Sequence, residues 1–337
     1  MSKITSLSLG AALLMLGCGK SMESPEMVLQ KSREALISIE SGDVGASIKV
    51  QGASVEDQLG FEAALDIAFD KSDISDVAVD LSLDVKGLMK TDEKTLDGAL
   101  NMDFIKVGNG YFLKLNTVES SDVGFSQIKP FIDLYVGKWL KLDEAIIPPD
   151  LAGLAEMDEE MLAKKTQMEE LFVETNLFTV TKEYGVEQLA GNDVYHYGVS
   201  PDINAFKTYA VGMARIKGDE MTTQEIESSI AVLNYLENAE LYIDRDDYYV
   251  RKAVFDFKGA SVNGEADLNV SLIIEGDKYD QDVQLKAPTG AVDFNPIELL
   301  MAFGEVPTME VPADGSMVEE MVVADEEVSD AEDVENQ

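Results

Sequence analysis

The chain has 337 residues, with 65 acidic against 26 basic side chains, a net charge of −39, and one Cys, one His and one Trp. A surface this negative repels phosphate backbones, so nucleic-acid binding is excluded unless a basic patch exists, and attachment to an anionic lipid surface needs something other than polybasic attraction. One Cys excludes an intramolecular disulfide and a Cys-rich zinc site, one His excludes most triad and His-cluster chemistries, and 45% apolar residues exclude a disordered acidic chain.

The N-terminus opens with Lys3, then an apolar stretch from Leu7 to Leu16. That stretch is too short to span a bilayer as a helix and has the length of a signal-peptide apolar region. It ends at Met15-Leu16-Gly17-Cys18. This resembles the bacterial lipobox, with Met15 where Leu is usual and Leu16 where a small residue is commoner. The resemblance implies a signal peptide over residues 1–17 and Cys18 as the site of lipid attachment. Acyl chains on Cys18 would stabilise an anchored state by ~0.8 kcal/mol for each buried methylene. The alternative is an ordinary secretory signal with an incidental Cys. Gly19 follows rather than Asp; by resemblance to the Gram-negative sorting rule this favours the outer membrane, and in a Gram-positive cell the outer face of the cell membrane.

Residues 18–27 read as a polar tether. Ser24 as N-cap with Pro25 at the first helical position predicts a helix to Ile39, presenting Met27, Leu29, Leu36 and Ile39. The period then changes to two. Phe61 to Phe69, Val77 to Val85 and Leu96 to Phe104 alternate apolar with largely acidic or small residues, the pattern of antiparallel strands wet on one side. Residues 44–53 and 111–115 add two strands, the latter closed by a hairpin at Gly108-Asn109-Gly110. Five strands in succession predict a meander.

The middle of the chain reads as helical. Residues 122–136 are apolar, with a break at Pro130, and Trp139-Leu140 starts a short strand. Residues 151–174 predict an amphipathic helix carrying Leu154, Met157, Met161, Met168 and Phe172 on one stripe. Residues 177–184 and 193–199 predict a hairpin around Gly191-Asn192. Ser200-Pro201 starts a helix with Ile203, Phe206, Ala210 and Met213 on one side, and Thr222 with Glu225 predicts a capping box for another. Strands resume at 239–244, 248–258 and 268–274, with a last one at 281–286. After Lys286 there are 14 acidic residues and no basic one, so residues 306–337 read as a disordered acidic tail.

The order is lipobox, short helix, meander, helices, then further strands. With Gly110-Tyr111-Phe112-Leu113-Lys114-Leu115, Gly137-Lys138-Trp139-Leu140-Lys141-Leu142, Gly191 to Tyr197, and Leu241-Tyr242-Ile243-Asp244 before Tyr249 to Ala253, it resembles bacterial lipid-handling lipoproteins of the LolA/LolB-like, LppX/LprG-like superfamily. The resemblance implies an α+β fold over residues 28–305: a curved antiparallel half-barrel with helices packed on its concave face. It also implies an apolar cavity between sheet and helices. Met157, Met161, Met168, Phe172, Phe206 and Met213 are candidate lining residues, since Met side chains conform to acyl chains; as ordinary core filling they would need no ligand. Lys164, which interrupts the stripe, either snorkels at the mouth or is solvated.

Catalytic motifs are sparse. Ser126 and Lys129 have Ser-x-x-Lys spacing without its partner motifs. His196, between two Tyr residues on a strand, reads as structural. Asp244, Asp246 and Asp247 read as a polar turn, because EF-hand spacing and its Glu are missing. The expectation is a non-enzymatic envelope lipoprotein without cofactor or metal. It would be held to the membrane by N-terminal acyl chains and would bind a lipid or another hydrophobic ligand. The alternative is an interaction protein with a filled core, using its acidic surface or tail against a basic protein partner.

Overall fold

The computed structural model describes residues 23–53, 58–72, 77–91, 95–143, 147, 159–219, 221–261 and 267–294. The signal peptide, Cys18, Met157, the boundary expected at 305/306 and the acidic tail lie outside the described residues. The described residues form one compact unit ending at Phe294.

The helices are α1 (Pro25–Ser38), α2 (Val123–Ile132), α3 (Glu159–Glu174), α4 (Ile203–Lys217) and α5 (Thr223–Ile230), the last continued by a 3-10 turn at Ala231–Tyr235. The strands are β1 (Ser41–Ala53), β2 (Gln58–Asp70), β3 (Ala78–Lys90), β4 (Thr95–Val107), β5 (Gly110–Ser120), β6 (Trp139–Leu142), β7 (Phe178–Leu189), β8 (Asn192–Pro201), β9 (Leu236–Asp244), β10 (Val250–Ser261), β11 (Asp267–Asp277) and β12 (Val292–Asp293). All twelve join one open sheet in the order β12-β6-β5-β4-β3-β2-β1-β11-β10-β9-β8-β7. The fold is the curved α+β sheet expected. Every pairing is antiparallel except β12 on β6. The meander β1–β5 forms by local hairpins, while β1 pairs with β11 and so joins the late strands to the first.

Local chemistry explains the helix starts. Ser24 accepts from the Met27 amide with Pro25 at the first position, and Thr222 and Glu225 complete a reciprocal capping box. Three expectations shift. The last three residues of the expected tether belong to α1. The buried residues of α1 are Val28, Leu29 and Ser32; of the expected stripe Leu29 and Ile39 are buried and Leu36 half-buried, whereas Met27 is 49% exposed and Val28 takes its place inward. Residues 281–286 form no strand; among the described residues the last strand is instead β12, two residues beside β6. After β11, Lys278 and Asp280 have φ of 50° and 53°, which turns the backbone out of the ladder.

The core lies where helices meet the late strands. Val28 and Leu29 of α1 pack with Tyr195, Tyr197 and Val199 of β8, Ala239, Leu241 and Ile243 of β9, and Ala253 of β10. Each buried Val, Leu or Ile in this cluster contributes about 1.5–3 kcal/mol. Phe206 of α4 meets Phe178 edge-on at 5.6 Å, and Phe178 meets Phe255 at 5.9 Å. Arg33 ties α1 to the end of α3 by donating from Nε to the Val173 carbonyl at 3.1 Å. Among the described residues no helix is long and apolar enough to cross a membrane.

Candidate functional site

The register aligns the strands' apolar residues into rows that cross the sheet. Directly opposed residues of an antiparallel pair point to the same face. One row runs Tyr197, Leu241, Ala253, Ile274, Ala46, Leu65, Leu83, Met102, Leu115, one residue from each of nine strands. A second runs Ala239, Phe255, Leu272, Ile48, Ala63, Val85, Leu100, Val118. Every member of both rows is apolar or aromatic. Burial changes along them. Tyr197, Leu241 and Ala253 are buried beneath α1, whereas Ile274, Ala46, Leu65, Leu83, Met102 and Leu115 are only half-buried. Nothing on β2 or β3 is fully buried. The apolar face therefore continues from the covered core into an open stretch on β1–β4. Lys106 marks its rim. It follows Phe69 and Val79 in the next row, is 2% exposed, and donates from Nζ to the Val77 carbonyl at 2.6 Å.

The opposite face is polar and ordered across strands. Ser82 donates to Asp103 at 2.7 Å, and Asn116 donates to Asp103 and to Asn101, both at 2.8 Å. Lys49 pairs with Glu62 at 2.6 Å, holding that carboxyl below its ordinary value. Asp43, Asp66, Asp80 and Asp277 surround a cleft of about 590 Å³ that also receives Arg251. Burial, then the neighbouring Asp103, pushes the Asp80 carboxyl up. Among the described residues no group of three or more His, Cys, Asp or Glu side chains is arranged to hold a metal ion.

The polar motifs resolve into structural devices. His196 is stacked between Tyr184 and Tyr242, each centroid 4.1 Å away. Its Nδ1 lies 2.9 Å from Glu187 and its Nε2 lies 3.2 Å from Glu240, so the ring clips β7, β8 and β9 together. Burial and the hydrogen bond to Glu240 push the Tyr242 hydroxyl up to about 12. In the acidic turn, Arg251 donates to Asp244 at 3.0 Å and to Asp247 at 2.5 Å, so the cation held there is the chain's own. Ser126 donates to the Val123 carbonyl at 2.6 Å, and Lys129 pairs with Asp133, which separates the two members of the Ser-x-x-Lys spacing.

Of the expected cavity residues, Phe172 meets Tyr209 edge-on at 6.4 Å between α3 and α4, and Phe206 sits on Phe178. Met168 and Met213 are half-buried, while Met161 is 41% exposed. Lys164 pairs with Glu160 at 2.8 Å on α3. The open rows on β1–β4 were legible as strands but not as one surface, because cross-strand register is not written in any single strand.

No protein-family model matches the chain, and no curated protein matches it in sequence. It is similar to solved structures. The LppX lipoprotein of Mycobacterium tuberculosis matches at a TM-score of 0.32 with 14% identity, over 78% of this chain and 100% of that one. A domain described as an outer membrane lipoprotein-sorting protein, from Vibrio parahaemolyticus, matches at 0.20 with 11% identity, over 77% and 95%. A DUF1329 family protein from Desulfovibrio piger matches at 0.20 with 10% identity, over 79% and 96%.

Proposed function

We propose that this protein is a non-catalytic envelope lipoprotein, anchored through acylated Cys18, that carries a lipid or another hydrophobic ligand on the apolar face of its sheet. The observation that supports this is the continuity of the rows. Leu65, Leu83 and Met102 extend the core surface of Leu241 and Ala253 without a break, yet remain half-exposed. A contiguous apolar surface of this extent, left open, marks a place where a hydrophobic partner is desolvated. The mechanism is passive: acyl chains displace water from the rows, and no bond is made or broken. Met161, Met168, Phe172, Phe206 and Met213, with Met157, would line the helix side of the path.

The test is mass spectrometry of lipid extracted from the Cys18→Ser protein purified without detergent. Stoichiometric lipid, lost in Leu83→Glu, is the expected result. Lipid-free protein would overturn the carrier reading in favour of an interaction protein working through its acidic surface. Labelling with an acyl-chain probe tests the anchor separately, with Cys18→Ser expected to remove the label.

A further inference from the structure

The helix layer carries a second amphiphilic feature, independent of the sheet rows. Helix α4 has three cations, Lys207, Arg215 and Lys217, and no carboxylate between Ile203 and Lys217, in a chain of net charge −39. Lys207, Val211 and Arg215 recur at i, i+4 and i+8, so the two cations stand one turn either side of Val211 on a single face. That face borders a cleft of about 530 Å³ between α3, α4 and α5, floored by Leu171, Val211, Gly212 and Ile226. The helices meet closely at its base. A β-carbon on Gly212 would lie 2.6 Å from Leu171 Cδ2, so Gly212 admits the Leu171 side chain against the α4 backbone. A second cleft of about 500 Å³ shares Val211 and Arg215 and continues past the end of α4 to Met221. Val211 is 38% exposed.

The charge arrangement is the informative part. Acids outnumber bases by more than two to one in the chain, and most described Lys side chains on the sheet's polar face are paired with carboxylates. Lys207 and Arg215 have no ion pair or side-chain hydrogen bond among the described residues. Glu227, the carboxylate that also borders the cleft, pairs with neither. An apolar floor with two unpaired cations above it is complementary to one chemistry: an acyl chain ending in an anion. Arg offers a carboxylate two parallel donors, and Lys adds a point charge.

We propose that the α3–α4–α5 cleft binds a free fatty acid, with the carboxylate over Val211 between Lys207 and Arg215 and the chain lying between Leu171 and Ile226. The site does not depend on the lipid-carrier reading of the sheet face, because its lining residues belong to the helices alone.

The experiment is calorimetric titration of the Cys18→Ser chain with dodecanoate below its micelle concentration, with dodecanol as the neutral chain of equal length. Saturable dodecanoate binding at one site is expected, with dodecanol at least tenfold weaker. The Lys207→Gln/Arg215→Gln variant should weaken dodecanoate at least tenfold and leave dodecanol unchanged. The Leu83→Glu variant, which disables the sheet face, should still bind dodecanoate. No saturable binding, equal affinity for the two probes, or an undiminished affinity in the Lys207/Arg215 variant would overturn the proposal. Loss of dodecanoate binding in Leu83→Glu with retention in Lys207→Gln/Arg215→Gln would place the fatty acid on the sheet and likewise overturn it. Unchanged far-ultraviolet circular dichroism and thermal midpoint keep each variant interpretable.

Discussion

The hydroxyl of Tyr279 lies 1.5 Å from the point where a β-carbon on Gly276 would stand. Gly276 is a buried strand residue of β11, so its need for a hydrogen side chain comes from this approach. Tyr279 folds back over the strand it has just left, donates to the Val250 carbonyl at 2.9 Å, and packs against Tyr249 at 4.8 Å. Burial, offset in part by Arg251, pushes its hydroxyl up to about 12. Gly276→Ala must displace the ring from this seat, and overpacking of this kind costs about 1–3 kcal/mol. Tyr279→Phe removes only the hydrogen bond, about 1 kcal/mol. Urea unfolding of both variants should show Gly276→Ala as the more damaging, although it adds a single methyl group.

Leu241 and Leu83 occupy one row of the sheet, and a truncation at each measures how far that row is covered. Leu241 is 8% exposed beneath α1, so Leu241→Ala should cost about 2–5 kcal/mol through lost transfer energy and a residual cavity. Leu83 is only half-buried, so Leu83→Ala should cost about 1 kcal/mol or less. The unfolding midpoint in urea, at constant slope, gives both numbers. Equal losses would mean that Leu83 is as well covered as Leu241.

Asp280 fastens the last described turn to the start of the sheet. Its Oδ1 accepts from the Glu40 amide at 2.8 Å, and its Oδ2 accepts from the Tyr249 hydroxyl. Burial works against the charged form, but the Tyr249 hydroxyl, the backbone donors of Glu40 and Ser41, and Lys71 outweigh it and hold the carboxyl below its ordinary value of 3.8. The native state therefore holds fewer protons than the unfolded chain between the two values. The stabilisation is present above about pH 4 and lost as pH falls through the native value. Asp280→Asn should lower the thermal midpoint at pH 7, and the difference from wild type should shrink steadily below pH 4. A gap that stayed constant with pH would assign the effect to packing instead of charge.

The strands were legible because one face is wet. Alternation over Phe61–Phe69 and Leu96–Phe104 marks β2 and β4 within a few residues, and the caps at Ser24 and Thr222 mark helix starts through side-chain chemistry that acts within three residues. What was illegible is non-local. The pairing of β1 with β11 spans most of the chain, and that pairing joins the rows of the meander to those of the late strands. The turn between β7 and β8 puts Ala190 at φ 48° beside Gly191 at 93°, whereas the expected Asn192 already belongs to β8; an Ala in the left-handed region has no sequence signal. The cations of α4 were visible in the sequence, but their shared cleft depended on how α3 and α5 dock.

Arg251 supplies the last test, because it decides what the acidic turn is for. Asp244 is 5% exposed, accepts from Arg251 Nε at 3.0 Å, and also accepts from the Asp246 amide at 2.9 Å. Asp247 is bridged by the same guanidinium, yet burial holds its carboxyl above the ordinary value, outweighing the Tyr249 amide and Arg251. Arg251→Ala leaves both carboxylates beside each other without their cation. Breaking one side of a buried pair costs about 3–5 kcal/mol, much of it the penalty of the orphaned charge. The loss should be greatest at neutral pH and smaller in acid, where the Asp247 carboxyl, already held above its ordinary value, takes up a proton. Removing Asp244 as well, in Arg251→Ala/Asp244→Ala, should restore part of the stability, since no unpaired buried charge then remains at that position. In the wild-type protein the site is already filled from within, so millimolar Ca²⁺ should leave the thermal midpoint where it was. A rise with Ca²⁺ would show that the turn prefers an external cation to Arg251.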